Sequence, residues 1–173
     1  MGSIHEAAVI GNIEILKLLI DNGANVNLKD NKGFRPLHYA SWQGRSEPVF
    51  ILLRRGANVN EQSINGDTAL HLASQYGHND IVQLLLFHQA DPTILNRRLL
   101  TAIDLACENG RFDVINSLVQ NPLCQRMLLN PNEQISPLHI ASKNGHTDIV
   151  RLLLLNGMDI NRMTVNDGTA LHV

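Results

Sequence analysis

Eight histidines in 173 residues are the side chains best suited to do chemistry here, because imidazole titrates near neutral pH and serves as a general base or a metal ligand. Their spacing argues against both roles. His5, His38 and His71 are thirty-three residues apart, the next such slot holds Asp104, and His139 and His172 resume the period after a slip of two. His78 and His146 fall at a second repeated place, directly after a glycine, and only His88 has no repeated slot. A metal site needs several ligands to converge, whereas a fixed period keeps equivalent side chains one structural unit apart. Asp104 in a histidine slot is something a catalytic account has to explain and a scaffold account need not. Gly66, Gly110 and Gly168 build no phosphate-cradling loop, and the chain lacks Gly-x-Ser-x-Gly, His-Glu-x-x-His and paired-cysteine spacings. We expect no catalytic residue, no metal and no cofactor.

The elements that carry these histidines are copies of one another. Pro36-Leu-His-Tyr-Ala40 returns as Ala69-Leu-His-Leu-Ala73, Ile103-Asp-Leu-Ala106, Pro137-Leu-His-Ile-Ala141 and Ala170-Leu-His172, with Gly11, Gly44, Gly77, Gly110 and Gly145 in step. Small residues at Ala7-Ala8, Ala40-Ser41, Ala73-Ser74, Ala106-Cys107 and Ala141-Ser142 predict a short helix that lies close to its neighbours. The glycine turns the chain, and a second helix follows with an apolar run such as Ile81-Val82 and Leu84 to Leu86, or Ile149-Val150 and Leu152 to Leu155. Gly23-Ala-Asn-Val-Asn27, Gly56-Ala-Asn-Val-Asn60 and Gly157-Met-Asp-Ile-Asn161 end it and lead into an outstretched loop. Pro48 falls in a first helical turn, where its missing N–H costs little. The segment from Asn121 to Pro131 carries the two extra residues; its Asn-Pro pairs predict turns, with Cys124 in a loop and Met127, Leu128 and Leu129 folded back on the core. The expected organisation is one array over 1–173: a partial copy at 1–29, copies at 30–62 and 63–95, one at 96–129 with the insertion, one at 130–161, and a truncated one at 162–173. Because that last copy stops inside a first helix, we expect a fragment of a longer protein.

A period of thirty-three residues with Pro-Leu-His-x-Ala at 36–40 and 137–141 resembles the ankyrin repeat, whose signature is Thr-Pro-Leu-His-x-Ala. The resemblance implies an all-α solenoid of stacked helix-turn-helix units with protruding loops, in which no copy buries its apolar faces alone. Composition agrees. Only 4% of residues are aromatic and 17% charged, against a usual charged share of roughly 25%. A net charge of −2 gives no basic footprint for nucleic acid, and no run approaches the roughly 20 apolar residues that span a bilayer. Gly2 is followed by Glu6 where an N-myristoylation signal calls for Ser or Thr. Two cysteines suit a reducing compartment, and we expect no disulfide.

In an ankyrin array the residues flanking the loop glycine, and the two before the inter-helix glycine, line one concave face. By period these are Val9 and Ile10; Lys32, Phe34, Trp42 and Gln43; Asn65, Asp67, Gln75 and Tyr76; Arg98, Leu100, Glu108 and Asn109; Glu133, Ile135, Lys143 and Asn144. We expect protein partners there, led by Lys32, Phe34, Trp42, Gln43, Asp67, Gln75, Tyr76, Arg98, Leu100 and Glu108, since Trp, Tyr and Arg dominate binding hot spots. The competing reading is that Phe34 and Trp42 shield the neighbouring loop. Asn27, Asn60 and Asn161 resemble the sites that asparagine hydroxylases modify in ankyrin repeats; their plainer role is bracing the loop.

Asp30 to Pro48, with Tyr-Ala-Ser-Trp-Gln-Gly-Arg-Ser-Glu-Pro at its end, resembles the second repeat of the Caskin scaffolds. Asp104-Leu-Ala-Cys-Glu-Asn-Gly-Arg111, Ser136 through His146, and Asp159-Ile-Asn-Arg162 are similar to later repeats of the same family. The departures are a shorter loop between Asn121 and Gln134 and a shorter N-terminus. Val59-Asn-Glu-Gln62 and Asp91-Pro-Thr93 are similar instead to ankyrin-and-SAM-domain adaptors. The Caskin resemblance implies a multidomain cytoplasmic adaptor working beneath the membrane at neuronal junctions, with the contact to the CASK scaffold lying outside the repeats. A regulatory or anchoring array attached to an enzyme or channel is the rival function, since fold does not settle function. Weak self-association through the truncated copy is a further expectation.

Overall fold

A computed structural model describes residues 2–129 and 136–158, together with the backbone of 163–164 and 168–169. Among the described residues the chain makes five helix pairs. These are α1 (Ser3–Ile10) with α2 (Ile13–Asp21), α3 (Pro36–Trp42) with α4 (Ser46–Arg54), α5 (Ala69–Gln75) with α6 (Asn79–Phe87), and α7 (Ala102–Glu108) with α8 (Phe112–Leu118). An extra helix, α9 (Pro122–Leu129), precedes the fifth pair, α10 (Pro137–Lys143) with α11 (Thr147–Leu155). A two-residue antiparallel pairing, Met163–Thr164 with Gly168–Thr169, follows. The first helices of successive pairs pack side by side, α1 on α3, α3 on α5, α5 on α7 and α7 on α10, and the second helices form a parallel outer row. The fold is the expected all-α repeat solenoid.

Side-chain volume sets that arrangement. Ala7, Ala40, Ala73, Ala106 and Ala141 sit at one equivalent place in the inner row and are buried, so adjacent short helices approach with only methyl groups between them. Leu52, Leu85, Leu118 and Leu153 occupy one equivalent place in the outer row and are fully buried against them. The turn between the two helices demands glycine twice over. Gly77 has φ +76°, and a Cβ there would lie 2.9 Å from Cδ of Arg111 in the next copy. Gln89 and Leu99 also hold positive φ, at places where the neighbouring copies carry Gly56 and Gly66.

Arg111 approaches for a reason. After three of the turn glycines the next residue reaches back to the carbonyl at the end of the preceding inner helix: Arg45 Nε donates to Val9 O at 3.0 Å, His78 Nε2 to Trp42 O at 3.0 Å, and Arg111 Nε to Gln75 O at 3.0 Å. These bonds satisfy helix-end carbonyls that have no partner of their own.

The Leu-His slot builds a second tie. Nδ1 of His5, His38 and His71 accepts from the backbone N–H of Gly2, Arg35 and Thr68 at 3.0, 2.9 and 3.0 Å, capping its own helix. Nε2 of the same rings bonds the loop carbonyls of Leu28, Glu61 and Leu100 at 2.7, 2.8 and 2.9 Å. Asp104 keeps the capping function, accepting from Thr101 N at 2.9 Å. His139 is buried, and His172 lies outside the described residues.

One expectation needs correcting. The segment after Asn121 is a helix rather than a turn-flanked loop, because Asn121 Oδ1 accepts from the N–H groups of Leu123 and Cys124 at 2.9 and 3.3 Å while Pro122 opens the first turn. Cys124 is therefore a buried helical residue, and burial pushes its thiol up to about 12. Leu128 is buried and Met127 packs on the core, but Leu129 faces outward. Both cysteines are free.

Two predictions arise from this packing. Leu85→Ala removes a fully buried side chain from the central outer row and should destabilise the chain by roughly 2–5 kcal/mol; an unchanged denaturant midpoint would contradict the repeat register that places Leu85 in the core. Burial also lowers the pKa of His38 and His71 below 6.5, against the opposing pull of their carbonyl partners. Their stabilisation is thus complete above pH 6.5 and is lost as pH falls through the lowered folded values, when the imidazoles must charge. Denaturation midpoints should fall as the pH is taken below 6.5, and His71→Asn should cost about 1–3 kcal/mol at neutral pH while shrinking that fall. A midpoint independent of pH in His71→Asn and parent alike would count against the scaffold role.

Candidate protein-binding face

The inner face of the second and third copies is built on rings. Phe34, Tyr39 and Leu72 form a small buried cluster of their own, with Val9 and Trp42 packed on it. Above that floor the rings overlap like tiles. Tyr39 and Trp42 are stacked at 6.5 Å with 12° between planes, and Trp42 and Tyr76 at 6.1 Å with 25°. Phe34 is tilted against Trp42 at 6.0 Å. Offset rings at these separations attract beyond their buried area. The row crosses from α3 to the end of α5, so it spans the junction of two copies.

A carboxylate anchors the row. Tyr39 donates its hydroxyl hydrogen bond to Oδ2 of Asp30, whose Oδ1 accepts from the N–H groups of Lys32 and Phe34 at 3.0 and 2.9 Å. Burial works to raise the Asp30 carboxyl, but these hydrogen bonds outweigh it and hold it below its ordinary range. Burial and the Asp30 bond push the Tyr39 phenol up to about 12. Asp30 thereby ties the loop to the inner helix and fixes where Lys32 and Phe34 sit.

The expected contact residues separate by exposure. Lys32, Gln43, Tyr76 and Arg98 are exposed, while Trp42, Asp67, Gln75 and Glu108 are half-buried. Phe34 and Leu100 are buried, at 9% and 5% exposure, and their side chains form the floor of the face. Phe34 packs with Tyr39 and Leu72, whereas Trp42 keeps an accessible surface beside Tyr76, itself 39% exposed. Ile10 extends the apolar edge into the first copy, where it is 67% exposed.

A second region lies between the fourth and fifth copies. Arg98 and Glu108 form a two-point ion pair at 3.3 and 2.9 Å, and Glu108 keeps the guanidinium charged beyond its ordinary range. They border a depression of about 390 Å³ floored by Leu100 and Ile140 and edged by Lys143 and Asn144. Asp67 does not join it, since its Oδ1 accepts from Asn96 Nδ2 at 2.9 Å in the loops above. Glu133 and Ile135 lie outside the described residues.

Asn27 and Asn60 act as braces between copies. Asn27 Oδ1 accepts from Asn58 N at 2.8 Å and its Nδ2 donates to Gly56 O at 3.2 Å, while Asn60 Oδ1 accepts from Asp91 N at 2.9 Å. Asn161 lies outside the described residues. Among the described residues no group of three or more His, Cys, Asp or Glu side chains is placed to hold a metal ion, and no helix is long and apolar enough to cross a membrane.

Tyr39 and Asp30 are the residues holding this face in place that counting by period passes over. The signal was present: Tyr39 is the aromatic at a place where later copies carry Leu72, Leu105 and Ile140.

The family model for ankyrin repeats, in three copies, matches residues 3–63, 49–125 and 105–173. Over 37 residues, 21% of this chain, the sequence is 51% identical to the fowlpox virus ankyrin repeat protein FPV223, covering 26% of that protein. Over 40 residues, 23% of this chain, it is 42% identical to human protein phosphatase 1 regulatory subunit 27, again covering 26% of the relative. Human Caskin-2 is 54% identical over 35 residues, 20% of this chain and 3% of the relative. The matched segments thus span about a quarter of the first two relatives and far less of the third. Arrays of this kind are protein-interaction modules and are generally non-catalytic. With three overlapping matches running from residue 3 to residue 173, the chain belongs to the ankyrin-repeat family.

Proposed function

We propose that this array is the partner-capturing module of a multidomain cytoplasmic adaptor or scaffold, and that it binds protein through the inner face of its second and third copies. The observation that carries this reading is the Trp42–Tyr76 stack, an exposed aromatic step set on a buried aromatic floor. Aromatic side chains held rigid in this way bring large contact area at little entropic cost, which is what an interface anchor needs. Lys32 and Gln43 flank the step as polar rim, and Arg98 with Glu108 continues the face toward the fifth copy. The short stretch of high identity to Caskin-2 supports an adaptor of that kind, acting at membrane-associated junctions. A second reading, a regulatory array that directs an attached or associated enzyme, is supported by the similarity to a phosphatase regulatory subunit. Both readings use the same face.

The test is affinity capture with the array, mass spectrometry of the bound proteins, and comparison of two variants at equal folded concentration. Tyr76→Ala should leave stability within roughly 0.5 kcal/mol of the parent and weaken capture of the principal partner by about 2 kcal/mol or more. Trp42→Ala should weaken capture at least as much and also lower the unfolding midpoint, because Trp42 packs on the buried cluster. Undiminished capture by both variants would overturn the site; a catalytic or channel-forming principal partner would favour the regulatory reading over the adaptor one.

A further inference from the structure

The outer row contains one substitution that changes its surface. Leu18, Ile51, Leu84 and Leu152 occupy one equivalent place on the second helices, and in the fourth copy that place holds Ser117. In addition α8 spans seven residues where α2, α4, α6 and α11 each span nine, and the chain then turns through Asn121 and Pro122 into α9. The missing leucine and the early turn leave a groove of about 490 Å³ between α6 and α8. At its edge Phe87 is 79% exposed, where the preceding copy carries Arg54. The floor is ordered: Ser117 Oγ donates to Asn79 Oδ1 at 2.8 Å, and Gln83 Nε2 donates to Ser117 Oγ at 3.4 Å.

Charge and hydrogen-bonding chemistry name the occupant. Of the ten side chains lining the groove only Asp113 is charged, whereas Asn79, Gln83, Asn116, Gln120 and Asn121 carry primary amides. A primary amide both donates and accepts, as a peptide main chain does. Leu86, Phe87 and Pro122 supply the apolar contact. We propose that this groove is a second docking site, which takes an extended, uncharged polypeptide segment. Its main chain is held by the amides of Gln83, Asn116 and Gln120, and one apolar side chain fills the space above Ser117 beside Phe87. An acidic or basic segment finds no counter-charge except Asp113, and a bare apolar surface would leave the amides without partners, at a cost in desolvation. The site lies on the outer row and does not depend on the inner-face reading.

The probes are capped, uncharged nonapeptides of serine, threonine and asparagine with one central leucine, isoleucine or phenylalanine, titrated into the array and followed by NMR of the side-chain amide resonances. At least one peptide should shift the amides of Gln83, Asn116 and Gln120, with an affinity insensitive to added salt. Ser117→Leu puts back the residue type of the other copies, so it should fold normally, and it should weaken that peptide about tenfold or more. Phe87→Ser, at an exposed position, should do the same, and Trp42→Ala should have no effect. No shift at these amides with any peptide, undiminished binding by Ser117→Leu, or shifts confined to the inner face would overturn the proposal. Shifts that depend on protein concentration alone would overturn it too, by making a second copy of the chain the occupant.

Discussion

The loop side of this molecule is held by one hydrogen bond made three times among the described residues, from a histidine Nε2 to a loop carbonyl, at the end of its own copy for His5 and His38 and in the following copy for His71. The bond works because the other ring nitrogen is already occupied. Nδ1 accepts from the N–H that opens the histidine's own helix, so the neutral ring has a single proton left, and it must lie on Nε2. One side chain thereby caps a helix and fixes the distance to the next loop. In His38 and His71 burial keeps the ring neutral, and neutrality keeps the tautomer. The charge logic and the geometry are therefore the same device.

The binding face inherits its rigidity from that device. His38 fixes the carbonyl of Glu61, and the loop beginning there carries Asn65 and Asp67; His71 fixes Leu100, which closes the loop bearing Arg98. Asp30 performs the corresponding task within the second copy by gripping Tyr39 and the N–H groups of Lys32 and Phe34. The aromatic row is consequently held from both ends, by the loop and by the inner helix. A partner meeting Trp42 and Tyr76 has little ordering left to impose, which is where preorganised surfaces gain affinity. In the fourth copy Asp104 replaces the histidine, and the same copy carries the short α8, the inserted α9 and the groove beside Ser117. The change of residue in the histidine slot and the change of the outer surface thus fall in one copy.

Much of this was legible in the sequence because period is physics that a single chain displays openly. Repeated Ala, Leu, His and Gly recur at fixed places, and the placement of Ala73, Leu85, His71 and Gly77 follows from counting. Counting fails where a copy departs from the pattern for local reasons. Asn121-Pro122 has the same letters whether it makes a turn or caps a helix, and only the available packing for Cys124 and Leu128 decides. Phe34 and Leu100 share the loop-flanking place with Asp67, yet the apolar pair turn inward while Asp67 bonds Asn96; period gives the backbone position and side-chain chemistry gives the direction. Tyr39 was hidden inside the scaffold motif because the motif tolerates any apolar residue there. The groove beside Ser117 needs two deviations read together, a lost leucine and a shortened helix, and the second is visible only in three dimensions.

The most direct measurement is nitrogen-resolved NMR of the histidine rings in the folded array at neutral pH, which reports the proton on each ring nitrogen. The account predicts that His5, His38 and His71 carry their proton on Nε2, with Nδ1 unprotonated and hydrogen-bonded. A proton on Nδ1 at any of these three positions would contradict the claim that each histidine caps its own helix and ties it to the loop that follows.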